Sequence, residues 1–320
     1  SFGLKQENAF GSGNSLGVQL NTSKVNRVVV FNTTDPYFTP DGVSRTLDFY
    51  YRTSSPYQDQ NYYQLQTSGG SLRFGVPFTE TDTVYFGGGV ERTTIVPGTS
   101  LPLSYLDYAN EYGYDSSAYP LTVGWGRDRR DSAMAPNSGV LQRANAELSV
   151  VGDARYLRAT YQYQEFFPLS KQFTAAFNGE FGWGKAAANR LFPVFKNFYG
   201  GGLGSVRGFE QSSLGPKDVS GSSVGGTRKM NLYAELLTPF PGAGNDRTLR
   251  MYAFMDAGMV GGEGANLPIN NNANSLRASA GVGISWISPV GPLRLAFSKP
   301  IQKFDGDRIQ PVQFQIGTTF

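Results

Sequence analysis

The residues best suited to chemistry lie in a glycine-rich stretch, Phe198–Pro216, with the sequence FYGGGLGSVRGFEQSSLGP. At its centre, Val206-Arg207-Gly208-Phe209 places one cation between glycines and an aromatic ring. Arginine presents five donors in a planar fork and stays charged at any working pH. If Arg207 lies away from water it needs carboxylate partners, so this stretch predicts a cluster of charge-assisted hydrogen bonds.

Two carboxylates further along the chain are the candidate partners of Arg207. Glu235 and Asp256 lie in the runs 229–238 and 248–257, in which apolar and polar residues alternate. This alternation puts both acids on the polar faces of adjacent strands. Pairing with both would hold the glycine-rich stretch against these strands. The alternative is that the two acids only hydrate a polar interior.

Other kinds of chemistry find few suitable residues. The chain contains no His and no Cys, which excludes Ser-His-Asp and Cys-His centres as well as disulfides. Gly200–Ser205 is only faintly like a phosphate-binding loop, because the Lys-Ser/Thr ending is absent and no helix follows. No acidic cluster has the spacing of a calcium loop. We therefore expect no enzyme activity, no metal and no cofactor. A net charge of +3, spread along the chain, gives no reason to expect nucleic acid as a partner.

The elements that must position Arg207 and the two acids are strands. Period-two alternation recurs along the whole chain, and no segment shows a convincing helical period. The sequence therefore predicts an all-β fold with about fifteen strands. The predicted strands are 1–9, 14–23, 26–34, 43–53, 61–75, 83–95, 117–126, 140–151, 155–166, 172–183, 229–238, 248–257, 275–287, 292–299 and 311–320.

The connections between these strands alternate in length. Short, turn-rich connections such as 11–13 and 168–170 form one set, whereas the other contains most of the long ones, including 96–116, 184–228 and 258–274. Short turns on one side and long loops on the other are typical of a transmembrane antiparallel β-barrel. A mean hydropathy of −0.32 is compatible with this, because lipid-facing and lumen-facing residues alternate and the average is polar. A soluble β-sandwich or propeller gives no reason for the asymmetry.

The strand count also bears on the architecture. Bacterial single-chain barrels have even strand numbers, with both termini on the periplasmic side. An odd count therefore predicts a barrel of the 16-stranded type whose first strand is not in this chain. Residues 1–320 are expected to form one barrel domain, with 184–228 as the sixth extracellular loop folded into the lumen.

Several motifs together resemble a known family. Val206–Phe209, followed by Leu214-Gly215-Pro216-Lys217, is similar to the sixth-loop motif of the outer-membrane insertase family. The resemblance runs in order through most of the chain and ends on an aromatic C-terminus. The further matching stretches are Tyr37–Gly42, Ala234–Pro239, Phe254–Gly258 and Trp286–Pro292.

The resemblance implies that Arg207 is held by Glu235 and Asp256 in a sixteen-stranded barrel of the bacterial outer membrane. Members of the family fold and insert β-barrel proteins there without nucleotide hydrolysis, through a seam between first and last strands that opens toward the lipid. In this chain the seam strand is 311–320, where a glycine should weaken pairing. The residues assigned to the seam are Pro311, Gln313, Phe314, Gln315, Ile316, Gly317 and Phe320.

The implied partners are unfolded outer-membrane β-barrel proteins as substrates and the outer-membrane lipid. Accessory outer-membrane lipoproteins would bind through periplasmic POTRA domains, which are absent from this chain. Three alternatives of another class remain: a two-partner-secretion exporter of the same superfamily, a TamA-like translocation and assembly protein, and a porin-like channel.

Overall fold

Alternating apolar and polar residues fold into antiparallel strands along the whole chain. The computed structural model describes residues 2–22, 26–55, 63–99, 101–218, 221, 223–242, 247–262, 274–288 and 291–316. The strands are β1 Phe2–Gln6, β2 Ser15–Thr22, β3 Asn26–Asp35, β4 Ser44–Ser54, β5 Tyr63–Pro77, β6 Asp82–Pro97, β7 Asp115–Ala118, β8 Leu121–Asp128, β9 Gly139–Ser149, β10 Tyr156–Pro168, β11 Thr174–Ala186, β12 Gly208–Phe209, β13 Arg228–Pro239, β14 Leu249–Gly261, β15 Arg277–Ser288, β16 Gly291–Gln302, β17 Ile309–Gln310 and β18 Val312–Ile316.

Sixteen of these strands belong to one sheet. Its order is β1-β2-β3-β4-β5-β6-β8-β9-β10-β11-β13-β14-β15-β16-β18, and the short β7 pairs with β6 outside this series. The fifteen strands in the series correspond one by one to the fifteen predicted runs, which confirms the all-β prediction. β12 and β17 form a separate two-stranded sheet.

One helix lies where the sequence predicts a plain loop. The α-helix α1, Leu103–Tyr112, begins after Pro102 and buries Tyr105, Tyr108 and Ala109. The prediction of no helix is therefore wrong. These buried residues are spaced three and four apart on one face, but ten residues provide too few repeats for the helical period to stand out. Two short 3-10 helices, Ala9–Gly11 and Val194–Lys196, complete the helical elements of the described chain. No helix in the described ranges is long and apolar enough to cross a membrane.

The chain forms two compact units by its internal contacts. The first contains 1–126, 145–159 and 184–196, and the second contains 127–144, 160–183 and 197–320. In the first unit, α1 packs its tyrosines against β5, β6 and the 3-10 helix Val194–Lys196. The buried side chains of this core are Tyr63, Leu65, Ile95, Tyr105, Tyr108 and Val194.

In the second unit, strand residues alternate between a buried and an exposed face. On β14, Tyr252 and Phe254 are 2 % and 5 % exposed, whereas Met251 and Met255 are 36 % and 59 % exposed. An exposed apolar face is expected where strands meet lipid rather than water. The alternation predicted for this strand is confirmed.

Candidate functional site

The candidate site begins with the register of β13 and β14. Tyr233 lies opposite Asp256, and Glu235 lies opposite Phe254. Glu235 is therefore the diagonal neighbour of Asp256 on the same face of adjacent strands, within reach of one long side chain. The sequence predicts the shared face but not this register, because alternation alone does not align two strands.

Arg207 reaches both carboxylates. Its Nε and Nη2 donate to the two oxygens of Asp256 at 2.7 and 2.5 Å, and its Nη1 donates to Glu235 Oε1 at 2.5 Å. The backbone N–H of Arg207 also donates to Asp256 Oδ2, at 2.9 Å. Arg207 is 2 % exposed and Asp256 is fully buried. The structure thus brings together the three residues that the sequence analysis proposed as partners.

Two aromatic rings from β14 flank the guanidinium. Its carbon lies 3.6 Å from the centre of the Phe254 ring and 5.5 Å from that of Tyr252. Such contacts between a cation and a ring face are attractive, more so out of water. Glycines on β15 leave room for the rings: a Cβ at Gly281 would lie 2.7 Å from Phe254, and one at Gly283 would lie 2.4 Å from Tyr252.

A second arginine, which the sequence analysis missed, gives the two carboxylates two cations as partners. Arg294, on β16, donates through Nη2 to both oxygens of Glu235 at 3.3 Å, and its guanidinium lies 5.3 Å from the Tyr252 ring. Two arginines and two acids therefore form what we call the arginine cluster: Arg207, Arg294, Glu235 and Asp256. The alternation of Leu293, Arg294 and Leu295 places this arginine on the polar face of its strand and could have identified it.

The backbone after Arg207 pairs with the end of the chain. Gly208 and Phe209 form β12, which faces β17 with Gly208 opposite Gln310. Gly208 has φ +88°, a conformation that favours glycine, and a Cβ there would lie 3.2 Å from Ser298 Oγ. The Gln313 side chain accepts from the Gly208 N–H at 3.2 Å and donates to the Phe209 carbonyl at 2.7 Å.

The predicted seam residues divide into two faces. β18 pairs with β16 and is the last strand in the order of the sheet. Phe314 and Ile316 are 62 % and 61 % exposed, whereas Gln313 is 4 % exposed and contacts the loop motif. Gln315 lies opposite Arg294 in the register. Pro311 precedes the strand, and its carbonyl accepts from the Ser298 N–H. Gly317 and Phe320 lie outside the described residues.

A second buried cation, also missed by the sequence analysis, lies earlier in the same connection, within the first unit. Lys196 Nζ lies 2.8 Å from Glu91 Oε1 and 3.1 Å from Glu147 Oε1. Tyr50 donates its hydroxyl to Glu91 Oε2 at 2.7 Å, and Tyr156 donates to Glu147. Burial by itself would lower the pKa of Lys196, but the charges of the two glutamates raise it. We call Lys196, Glu91 and Glu147 the lysine cluster.

A cavity of about 280 Å³ lies beside the arginine cluster in the second unit. Glu235, Arg294 and Tyr233 line it from the strands, and Met134 lines it from the β8–β9 connection. Within the described ranges, no group of three His, Cys, Asp or Glu side chains is placed to hold a metal ion.

Comparison with known proteins gives the family. The model of the Omp85 superfamily domain matches residues 8–320. The chain belongs to the Omp85 superfamily. This Omp85 domain is 40 % identical, over its whole length, to the outer membrane protein assembly factor BamA of Neisseria meningitidis, of which it covers 45 %. It is 32 % identical to the human sorting and assembly machinery component 50 homolog, over 60 % of this chain and 44 % of the human one.

Solved structures give the same answer. BamA from Haemophilus ducreyi lacking POTRA domains 1–3 superimposes with a TM-score of 0.88 at 27 % identity, over 98 % of this chain and 65 % of that one. The domain is therefore an antiparallel β-barrel of the bacterial outer membrane. The alternating connection lengths predict the barrel, and the family resemblance implies the outer membrane. The chain spans less than half the length of the curated relatives named here.

Proposed function

We propose that this Omp85 domain is the membrane part of an insertase that folds and inserts β-barrel proteins into the bacterial outer membrane, without nucleotide hydrolysis. The observation that carries the proposal is the arginine cluster, in which Arg207 and Asp256 are buried. It ties a glycine-rich loop to the sheet in a chain 40 % identical to an assembly factor. A passive pore has no need of so costly a buried charge network.

The proposed action uses the edge of the sheet. β18 lies at the end of the strand order, and an unpaired strand edge presents N–H and C=O groups to an incoming strand. The exposed apolar side chains of Phe314 and Ile316 suit a strand that borders lipid. Substrate strands add at this edge. Pairing with β18 gives their backbone N–H and C=O groups the hydrogen-bond partners that an unpaired strand would lack inside the membrane.

In this proposal, residues 1–320 act as one barrel domain and 184–228 is its sixth extracellular loop, folded into the lumen. The substrates are unfolded outer-membrane β-barrel proteins, and the surrounding medium is outer-membrane lipid. Accessory lipoproteins bind the full-length protein through periplasmic domains. Support comes from the relatives: the Neisseria protein is named an assembly factor, and the Haemophilus structure is described by its POTRA domains.

The test is a folding assay with the full-length protein in liposomes. We expect it to shorten the time in which an unfolded outer-membrane protein becomes resistant to SDS and protease. Arg207→Ala should lose this acceleration. Arg92→Ala, the matched control, should keep it, because Arg92 pairs with Asp115 at the surface with its side chain 67 % exposed. No acceleration, together with steady ion conductance in planar bilayers, would replace the proposal by a pore.

A further inference from the structure

We infer that Gln313 is a positioning residue that fastens the last strand of the sheet to the loop motif, so that the motif and β18 are released together. The inference rests on the proposed function, since it concerns how the seam strand is held before substrate arrives. It assigns to one side chain on β18 a role that the arginine cluster alone does not explain.

The contact is an amide bound to two consecutive residues of the motif. Gln313 Oε1 accepts from the Gly208 N–H at 3.2 Å, and Nε2 donates to the Phe209 carbonyl at 2.7 Å. Gln313 is 4 % exposed and Phe209 is fully buried. Buried backbone groups without partners are costly, so this side chain satisfies a donor and an acceptor that few groups could serve together.

The backbone reinforces the same attachment. Phe209 lies opposite Ile309 in the β12–β17 pair, and only Pro311 separates β17 from β18. The Glu210 N–H donates to the Arg308 carbonyl at 2.9 Å, and the two side chains lie 3.6 Å apart as an ion pair. The loop motif is thus tied to the segment leading into β18 as well as to β18 itself.

The motif is held on its other side by β13 and β14. Arg207 binds Asp256 and Glu235, immediately before the residues that Gln313 binds. Three consecutive residues, Arg207, Gly208 and Phe209, therefore bridge the strands β13 and β14 and the last strand, β18. Because the bridge is so short, a displacement of Arg207 moves Gly208 and Phe209 away from Gln313. A displacement of β18 pulls on the same backbone from the other end.

Hydrogen exchange of the full-length protein in detergent micelles tests this coupling, with mass spectrometry of peptides covering 205–210 and 309–316. Gln313→Ala should raise exchange in both peptides by about tenfold or more, as expected when buried hydrogen bonds are lost. Gln313→Glu keeps the size and the acceptor but not the donor, so its exchange should lie between the wild type and Gln313→Ala. Gln19→Ala, on β2 in the other unit, is the matched control.

The reciprocal experiment uses Arg207→Ala. The Arg207 side chain bonds to Asp256 and Glu235, which lie on neither β17 nor β18. Its removal should nevertheless raise exchange in 309–316. The inference is overturned if either Gln313 variant changes 309–316 while 205–210 stays protected, or if neither peptide responds. Exchange coupling without accelerated folding in liposomes by the unmodified protein would reject the insertase and leave the fastening intact. The two failures are therefore distinguishable.

Discussion

At the scale of the residue, the site depends on the groups that bind the guanidinium of Arg207. Arg207 is out of water, bound to carboxylates on two neighbouring strands and stacked on Phe254. Taking these charges out of water is expensive, and the hydrogen bonds roughly repay that cost only while the set is complete. Removing one of these charged side chains therefore lowers the stability of the protein by much more than the complete set of charges adds to it.

Arg207→Ala should loosen the connection between β11 and β13 and destabilise the domain by about 3–5 kcal/mol, because it leaves Asp256 and Glu235 buried without their cation. Limited proteolysis of this connection and unfolding in denaturant measure the two effects. Arg92→Ala should change neither, since exposed ion pairs contribute little. An Arg207→Ala protein with normal protease resistance and normal folding activity would contradict this role.

The sequence predicts this site in part, for reasons visible in its residues. Alternation places Glu235 and Asp256 on one face, and an arginine among glycines calls for acidic partners. The role of Gln313 leaves no such pattern, because its amide binds backbone groups about a hundred residues earlier in the chain. The register of β13 and β14 is likewise set by tertiary packing.

At the scale of the element, the long connection after β11 is anchored inside each compact unit separately. In the first unit, Lys196 lies between Glu91 and Glu147. In the second unit, Arg207 lies in the arginine cluster. Hydrophobic packing adds to the first anchor, since Val194 and Phe195 lie against the tyrosines of α1. The described residues around Lys196 and around Arg207 are therefore each held by a cation and its acidic partners.

Lys196→Met should expose the start of this connection to protease and cost about 3 kcal/mol of stability, because both glutamates lose their cation. Cleavage within 187–196 is the measurement. Lys196→Arg retains the charge but replaces a compact ammonium by a planar fork, so it should restore only part of the resistance. Equal resistance of Lys196→Met and the wild type would show that the lysine cluster does not anchor the connection.

The contacts of Asp131 predict that the stability of the β8–β9 connection depends on pH. Asp131 accepts from the N–H groups of Asn137 and Ser138 and pairs with Arg247 at 3.2 Å. Burial raises the pKa of Asp131, but these hydrogen bonds and the arginine outweigh it and hold the pKa below its ordinary value. A carboxyl with a lowered folded pKa contributes stability above its unfolded pKa of about 4 and loses it as the pH falls further.

We therefore expect hydrogen exchange in 129–138 to stay slow at pH 5, after correction for the intrinsic rate, and to rise below about pH 4. Asp131→Asn should exchange fast at both values. Arg250 also holds this connection, through the carbonyls of Pro136 and Ala135 at 2.9 and 3.0 Å, and its contacts do not titrate in this range. An acid-induced rise that persists in full in Asp131→Asn would assign the effect to another group.

Prediction at this scale succeeds for strands and fails for α1. Each strand repeats its alternation over several residue pairs, whereas α1 offers one buried face of Tyr105, Tyr108 and Ala109 within ten residues. The helix is stabilised by packing on Tyr63 and Leu65 of β5 and on Val194, which are distant in sequence. Local periodicity does not contain that information.

At the scale of the whole molecule, the family assignment and the geometry of the arginine cluster support one account. The strand order of this Omp85 domain ends at β18, and the loop motif is hydrogen-bonded to that strand through Gln313. Because opening of the seam exchanges one set of backbone hydrogen bonds for another, no nucleotide energy is required in this account.

Disulfide trapping during assembly tests this central claim most directly. The chain has no Cys, so single substitutions such as Phe314→Cys on β18 give unambiguous reports. The control, Phe177→Cys, lies on β11 in the interior of the strand order and is 48 % exposed. We expect a substrate with one Cys in its terminal strand to crosslink to β18 in one register and not to β11. Substrate that folds at the normal rate without any crosslink to β18, or with equal crosslinks at both strands, would contradict the account.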